Sequence, residues 1–166
     1  MLLFKPHLIL HRVYDITPQM LADLGARGIV LDVDNTLSTH HAQQPLDGVT
    51  DWLSEMRAAG IKLTILSNAR SRRVAPFADR LGIEYISVGL KPLPFGVMRA
   101  VKRLGLRRKE VILVGDQLFT DMLGANLCGV RGVLVEPALP ESGRSFKVRR
   151  RIERVLLRKY KDYRGE

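Results

Sequence analysis

Two short stretches of this chain constrain its fold more than anything else in it. Gly28-Ile-Val-Leu-Asp32 and Val111-Ile-Leu-Val114-Gly-Asp116 are apolar without interruption and stop abruptly at an aspartate. A strand with one wetted face alternates apolar and polar residues; an unbroken run of this length fits a strand covered on both faces. Ile61–Leu66, Glu84–Val88 and Gly132–Val135 supply three further strand-like runs. Between them lie segments with helical spacing. Val49, Trp52, Leu53 and Met56 mark one that ends at Gly60, Arg72–Leu81 a second closed by Gly82 despite Pro76, and Pro92 and Pro94 open a third before Gly105. Leu118–Leu127 is a fourth, ending near Gly129. Strands alternating with helices predict an α/β, Rossmann-like fold: a parallel sheet of about five strands with helices on both faces.

In such sheets ligands bind beyond the carboxyl ends of the strands. Those ends are where this chain keeps its polar residues: Asp32 and Asp34, Ser67 and Asn68, Asp116, and Lys91 a few residues past the short third strand. Any one of them alone reads as a turn or a helix cap. Four strands delivering polar groups to one edge read as a site. Asp32, Asp34 and Asp116 together suit a hard divalent ion, because oxygen ligands without His or Cys favour Mg²⁺ over zinc. Mg²⁺ commonly completes its shell with water and substrate phosphate. Ser67 and Asn68 offer donors to phosphate oxygens, and Lys91 offers a cation to a carboxylate or a phosphate. The implied chemistry is phosphoryl transfer through an aspartyl phosphate.

Asp32-Val-Asp-Asn-Thr36 resembles the first motif of the haloacid dehalogenase (HAD) superfamily, Leu66-Ser-Asn68 the second, Lys91 the third and Val114–Asp121, "VGDQLFTD", the fourth. The resemblance implies roles at matching positions. Asp32 would be the nucleophile, and Asp34 the general acid and base whose backbone carbonyl also meets the metal. Ser67 would bind the transferring phosphoryl group and Lys91 would steady it. Asp116 would ligate the metal, Asp121 would support it directly or through water, and Thr36 would buttress the turn. Many members carry Gly where this chain has Asn35, a residue that also tolerates a left-handed backbone. Only 34 residues separate Asp32 from Ser67 and 23 separate Ser67 from Lys91, so no cap domain is expected and the site should be open. An open site suits phosphate on something large or membrane-borne. "ITPQMLADLGARGIVLDVDNTL", "GLKPLPFG" and "VGDQLFTDMLGAN" further resemble the YqeG-type phosphatases of subclass IIIA. Related mitochondrial and plastid enzymes are phosphatidylglycerophosphate phosphatases, which makes that lipid the leading substrate; a soluble phosphate, sugar or nucleotide is the alternative.

The net charge of +10 is concentrated: Arg144–Arg164 holds ten Lys and Arg against Glu153 and Asp162. This 141–166 segment reads as a basic helix or tail, running from Phe146 to about Lys159. It is either a solvated face, a contact for anionic membrane, or an RNA-binding element with Tyr160 and Tyr163 as stacking groups. The last reading carries a third hypothesis, a ribosome- or RNA-associated binding protein with an idle site. Residues 1–27 read as an N-terminal arm covering the 28–140 core, or as a shallow membrane contact. His40 and His41 fall in a loop just past the first motif, either a solvent-exposed turn or an overhang that touches substrate. A single cysteine, Cys128, excludes an internal disulfide and fits a reducing compartment, and no apolar run reaches bilayer length. The expected setting is cytoplasmic, with peripheral contact to the membrane.

Overall fold

The computed structural model describes residues 3–39, 42–139, 151–153 and 155–157. Six strands form one wholly parallel sheet: β1 (Leu8–Leu10), β2 (Gly28–Leu31), β3 (Lys62–Leu66), β4 (Tyr85–Ile86), β5 (Val111–Gly115) and β6 (Arg131–Val135), in the order β1-β6-β5-β2-β3-β4. The helices are α1 (Pro18–Asp23), α2 (Val49–Ala58), α3 (Ser71–Leu81), α4 (Pro94–Leu104) and α5 (Leu123–Leu127), the last preceded by a π-helical turn over Leu118–Met122.

Each central strand is buried on both faces, so its alternate residues feed two separate cores. Ile29 and Leu31 join Ile65, Ile112 and Val114 under α2 and α3, where Trp52, Met56, Val74 and Phe77 close the layer. Val30 points the other way, with Leu66, Leu113 and Leu134 under α4 and α5, against Val97, Val101, Met122 and Ala125. This is why the strand runs show no polar alternation. Full burial of each such side chain contributes roughly 1.5–3 kcal/mol.

The sixth strand comes from the N-terminal segment. Leu8, Ile9 and Leu10 pair with Val133, Leu134 and Val135, and Val13, Ile16 and Leu21 enter the first core. The Trp52 indole N–H donates to the Ile16 carbonyl at 2.8 Å, fixing α2 to this segment. Residues from Leu8 onward are therefore integrated into the sheet and its packing. At the other end, residues 151–153 and 155–157 are helical, and the buried Glu153 accepts a hydrogen bond from the Leu118 N–H at 3.1 Å, at the start of the π-helical turn. The remainder of the expected Phe146–Lys159 helix, most of the 144–164 basic segment, and His40 and His41 lie outside the described residues. Among the described residues no helix is long and apolar enough to cross a membrane.

Chain order places the site. From β2 the chain winds to β3 and β4 on one side, then returns to β5 and β6 on the other. The carboxyl ends of β2 and β5 are neighbours at the point where the winding reverses, which is where open α/β sheets leave a crevice. No domain is inserted among these crossovers.

Candidate active site

Asp32 leaves the end of β2, with its backbone N–H still bonded to Val114 O of β5 at 2.9 Å. Asp116 follows β5 directly, and Asp121 sits in the π-helical turn after it. One carboxylate oxygen from each of Asp32, Asp116 and Asp121 lies within 4.8 Å of the others, and all three residues are buried. Lys91 Nζ donates to Asp32 Oδ1 and to Asp121 Oδ1, both at 2.7 Å. Three buried carboxylates gathered about one ammonium form a group whose charge a divalent cation would offset. The all-oxygen donor set fits a hard ion such as Mg²⁺.

Burial pushes the Asp32 carboxyl up, to about 7; Lys91 opposes that shift, while the charges of Asp121 and Asp34 add to it. For Lys91, burial alone would lower the pKa, but the carboxylates of Asp121 and Asp32 overcome it and hold the ammonium above the ordinary lysine range. Lys91 therefore stays charged, and positive charge delivered to the cluster favours the Asp32 anion.

Asp121 can take its place only because of Gly115. A Cβ at residue 115 would clash with the Asp121 carboxylate. The Gln117 backbone N–H then donates to Asp121 Oδ2 at 3.2 Å, holding the carboxylate from the other side.

The Asp34 carboxylate lies outside the acidic cluster, whose third member is Asp121. Asp34 Oδ1 instead accepts from Arg73 Nη2 of α3 at 2.8 Å. A guanidinium rather than the Lys91 ammonium faces this carboxylate, while its charge still reaches Asp32. The turn that follows Asp34 has Asn35 at φ 62°, the left-handed conformation expected to suit Asn. Thr36 is buried beside it, and its hydroxyl has no hydrogen-bond partner among the described residues.

Ser67 directly follows β3 and is buried, its Oγ accepting from the Ala69 N–H at 3.1 Å. The Asn68 side chain, expected to meet a phosphate, is engaged elsewhere. Its Nδ2 donates to Lys91 O at 2.9 Å and its Oδ1 accepts from Lys91 N at 2.7 Å. This two-point clamp fixes the backbone that carries Lys91. The residue that sequence reasoning passed over is Arg73. It lies in "SNARSRRV", a run that reads as solvated, although its spacing of four from the buried Phe77 puts it on the inward face of α3. Its guanidinium carbon stands 5.9 Å from the Phe77 ring centroid.

Comparison with known proteins gives the family. Residues 18–129 match the model of the haloacid dehalogenase-like hydrolase family. The chain is 36% identical to "Probable phosphatase YqeG" of Bacillus subtilis (strain 168), over 93% of this chain and 90% of that protein. It is 28% identical to "Phosphatidylglycerophosphate phosphatase 1, chloroplastic/mitochondrial" of Arabidopsis thaliana and 27% identical to "Phosphatidylglycerophosphate phosphatase 1, chloroplastic" of Chlamydomonas reinhardtii. These two matches take in 93% and 95% of this chain but only 47% and 62% of the longer plant and algal proteins. Among solved structures, NagD from E. coli K-12 superposes with a TM-score of 0.56 at 12% identity, covering 66% of this chain and 87% of NagD. An uncharacterized protein from Listeria monocytogenes serotype 4b does so with a TM-score of 0.55 at 18% identity, covering 72% and 88%. At those identities the superpositions speak for the fold alone. The sequence matches speak for the enzyme class, and with them the chain belongs to the haloacid dehalogenase-like hydrolases, as a phosphatase.

Proposed function

We propose that this protein hydrolyses a phosphomonoester through an aspartyl-phosphate on Asp32, and that its substrate is phosphatidylglycerophosphate. The observation that carries the chemistry is the buried Asp32–Lys91–Asp121 network beside Asp116 at the reversal point of the sheet. A carboxylate attacks phosphorus while an adjacent acid protonates the leaving oxygen; two carboxylates in different surroundings suit that division of labour. Asp32 forms the new O–P bond as the bond to the leaving alcohol breaks, and Asp34 gives that alcohol its proton. Asp34 then takes a proton from water as the water oxygen attacks phosphorus, which frees Asp32 and inorganic phosphate. Lys91 neutralises Asp32 at rest and the phosphoryl oxygens during transfer. Ser67 donates its hydroxyl to the phosphoryl group, Asn68 positions Lys91 through its backbone, and Arg73 positions Asp34. Asp32 and Asp116, with the Asp34 backbone carbonyl and support from Asp121, would hold Mg²⁺. That ion would supply charge against the phosphoryl oxygens.

The lipid assignment is supported by the plant and algal relatives and by the absence of an inserted cap, which leaves room for a phosphate that stays on a membrane. The test is phosphate release from phosphatidylglycerophosphate in mixed micelles with Mg²⁺, beside an aryl phosphate and the Asp32→Asn protein. Lipid turnover well above aryl turnover, lost with Asp32→Asn and on chelation, is the expected result. Turnover of the aryl phosphate alone would keep the chemistry and remove the lipid.

A further inference from the structure

The loop that carries Lys91 has a second character. Lys91 is buried, yet around it Val88, Leu90, Leu93 and Phe95 are 50%, 53%, 50% and 66% exposed. Four large apolar side chains turned to solvent within eight residues are unusual, since soluble surfaces scatter such residues singly. The loop is held in this state. Its backbone lies against the end of β3, with Val88 N–H bonded to Ala69 O and Gly89 N–H to Ser67 O, both at 2.9 Å. A Cβ on Gly96 would strike the Gly89 carbonyl, so the loop and the start of α4 are packed backbone to backbone. Gly89 and Gly96 make the close contact, and the side chains of Val88, Leu90, Leu93 and Phe95 stand outside it. Val88 and Leu90 sit at φ 48° and 55°, conformations that a β-branched or bulky residue adopts only when its surroundings enforce them.

Resting on the lipid-substrate reading above, we propose that the Val88–Phe95 loop is the surface by which this protein seats itself on an anionic bilayer, its apolar side chains entering the interface beside the active site. Charge selects this occupant. Residues 67–78 and 87–109 contain no Asp or Glu. Exposed Arg70 and Arg72 stand in the loop to which Val88 is bonded and at the start of α3, and Arg99 lies one turn along α4 from Phe95. Exposed apolar side chains with exposed arginines and no acidic residue in the same two stretches of chain match an anionic membrane interface. A second copy of this chain would bring arginine against arginine across a two-fold contact.

The experiment compares wild type with Leu93→Ser/Phe95→Ser, both positions exposed and outside the catalytic set. Binding is read by pelleting with vesicles of phosphatidylglycerol and phosphatidylcholine, and activity on aryl phosphate and on phosphatidylglycerophosphate in the same vesicles. The variant is expected to bind vesicles at least about tenfold more weakly, to lose lipid turnover in proportion, and to keep its aryl phosphate turnover and melting temperature. Separately, the Phe95→Trp protein should shift its emission to the blue when those vesicles are added. Equal pelleting of wild type and double variant, or an emission spectrum of Phe95→Trp that vesicles leave unmoved, overturns the proposal. So does a double variant that loses only a wild-type dimer in sedimentation. If pelleting depends on Leu93 and Phe95 but no phosphate leaves the lipid, the surface stands and the substrate assignment fails.

Discussion

Asp32 and Asp34 are two residues apart and inhabit different environments. Asp32 shares a buried ammonium with Asp121 and is one of three carboxylates in a tight group. Asp34 meets the Arg73 guanidinium, its side chain 18% exposed and that of Arg73 13%. The first network gathers three buried carboxylates around one ammonium, a donor set that suits a divalent cation. The second sets a carboxylate against a guanidinium at the border of solvent, the place that the proposed proton transfers to leaving group and from water require. Their different cationic partners are what separate two like charges into two tasks.

Removing the carboxylates one at a time breaks that comparison most sharply. Asp32→Asn should lower turnover by at least about 10⁴-fold on every substrate, because no other group replaces a nucleophile. Asp34→Asn should cost about 10²–10⁴-fold on alkyl phosphates, the usual range for general acid–base help. On aryl phosphates, whose leaving groups need less protonation, the loss should be smaller. Equal losses for both variants on both substrates would mean that Asp34 is not the acid.

Deleting the cations tests the same contrast through stability. Lys91→Met leaves buried carboxylates uncompensated and should destabilise by about 3–5 kcal/mol in denaturant melts without divalent ions. Part of that loss should return when Mg²⁺ is added. Gly115→Ala drives a methyl group into the Asp121 carboxylate and should cost roughly 1–3 kcal/mol, with weaker protection from melting by Mg²⁺. Arg73→Met should be the mildest, about 1 kcal/mol or less for a pair that still touches water. Its effect should fall on kcat for alkyl phosphates more than on stability. A larger melt shift for Arg73→Met than for Lys91→Met would invert the picture of the two environments.

Much of this was legible in the sequence for a physical reason. A strand buried on both faces has to be apolar throughout, so the residue where it stops stands out; Asp32, Ser67 and Asp116 are each found that way. Asn35 was readable because few side chains accept φ near 60°. β1 was not, since three apolar residues between Lys5-Pro6-His7 and His11-Arg12 carry no period, and the strand is only half buried at the sheet edge. Arg73 was hidden by its neighbours, Arg70 and Arg72, which are exposed. The second duty of Asn68 lay beyond any pattern, because it depends on where the chain returns 23 residues later.

The pairing of Leu8 with Val133 sets an order of events in biogenesis. During synthesis the first strand emerges long before β6, the strand it must lie beside. Until then Leu8–Leu10 has no ladder to join, and β5 offers an open edge where β6 will dock. The contact joins the two ends of the fold at high sequence separation, so its closure entropy is met late. The interval before β6 appears is when this chain most needs protection from pairing with a neighbour.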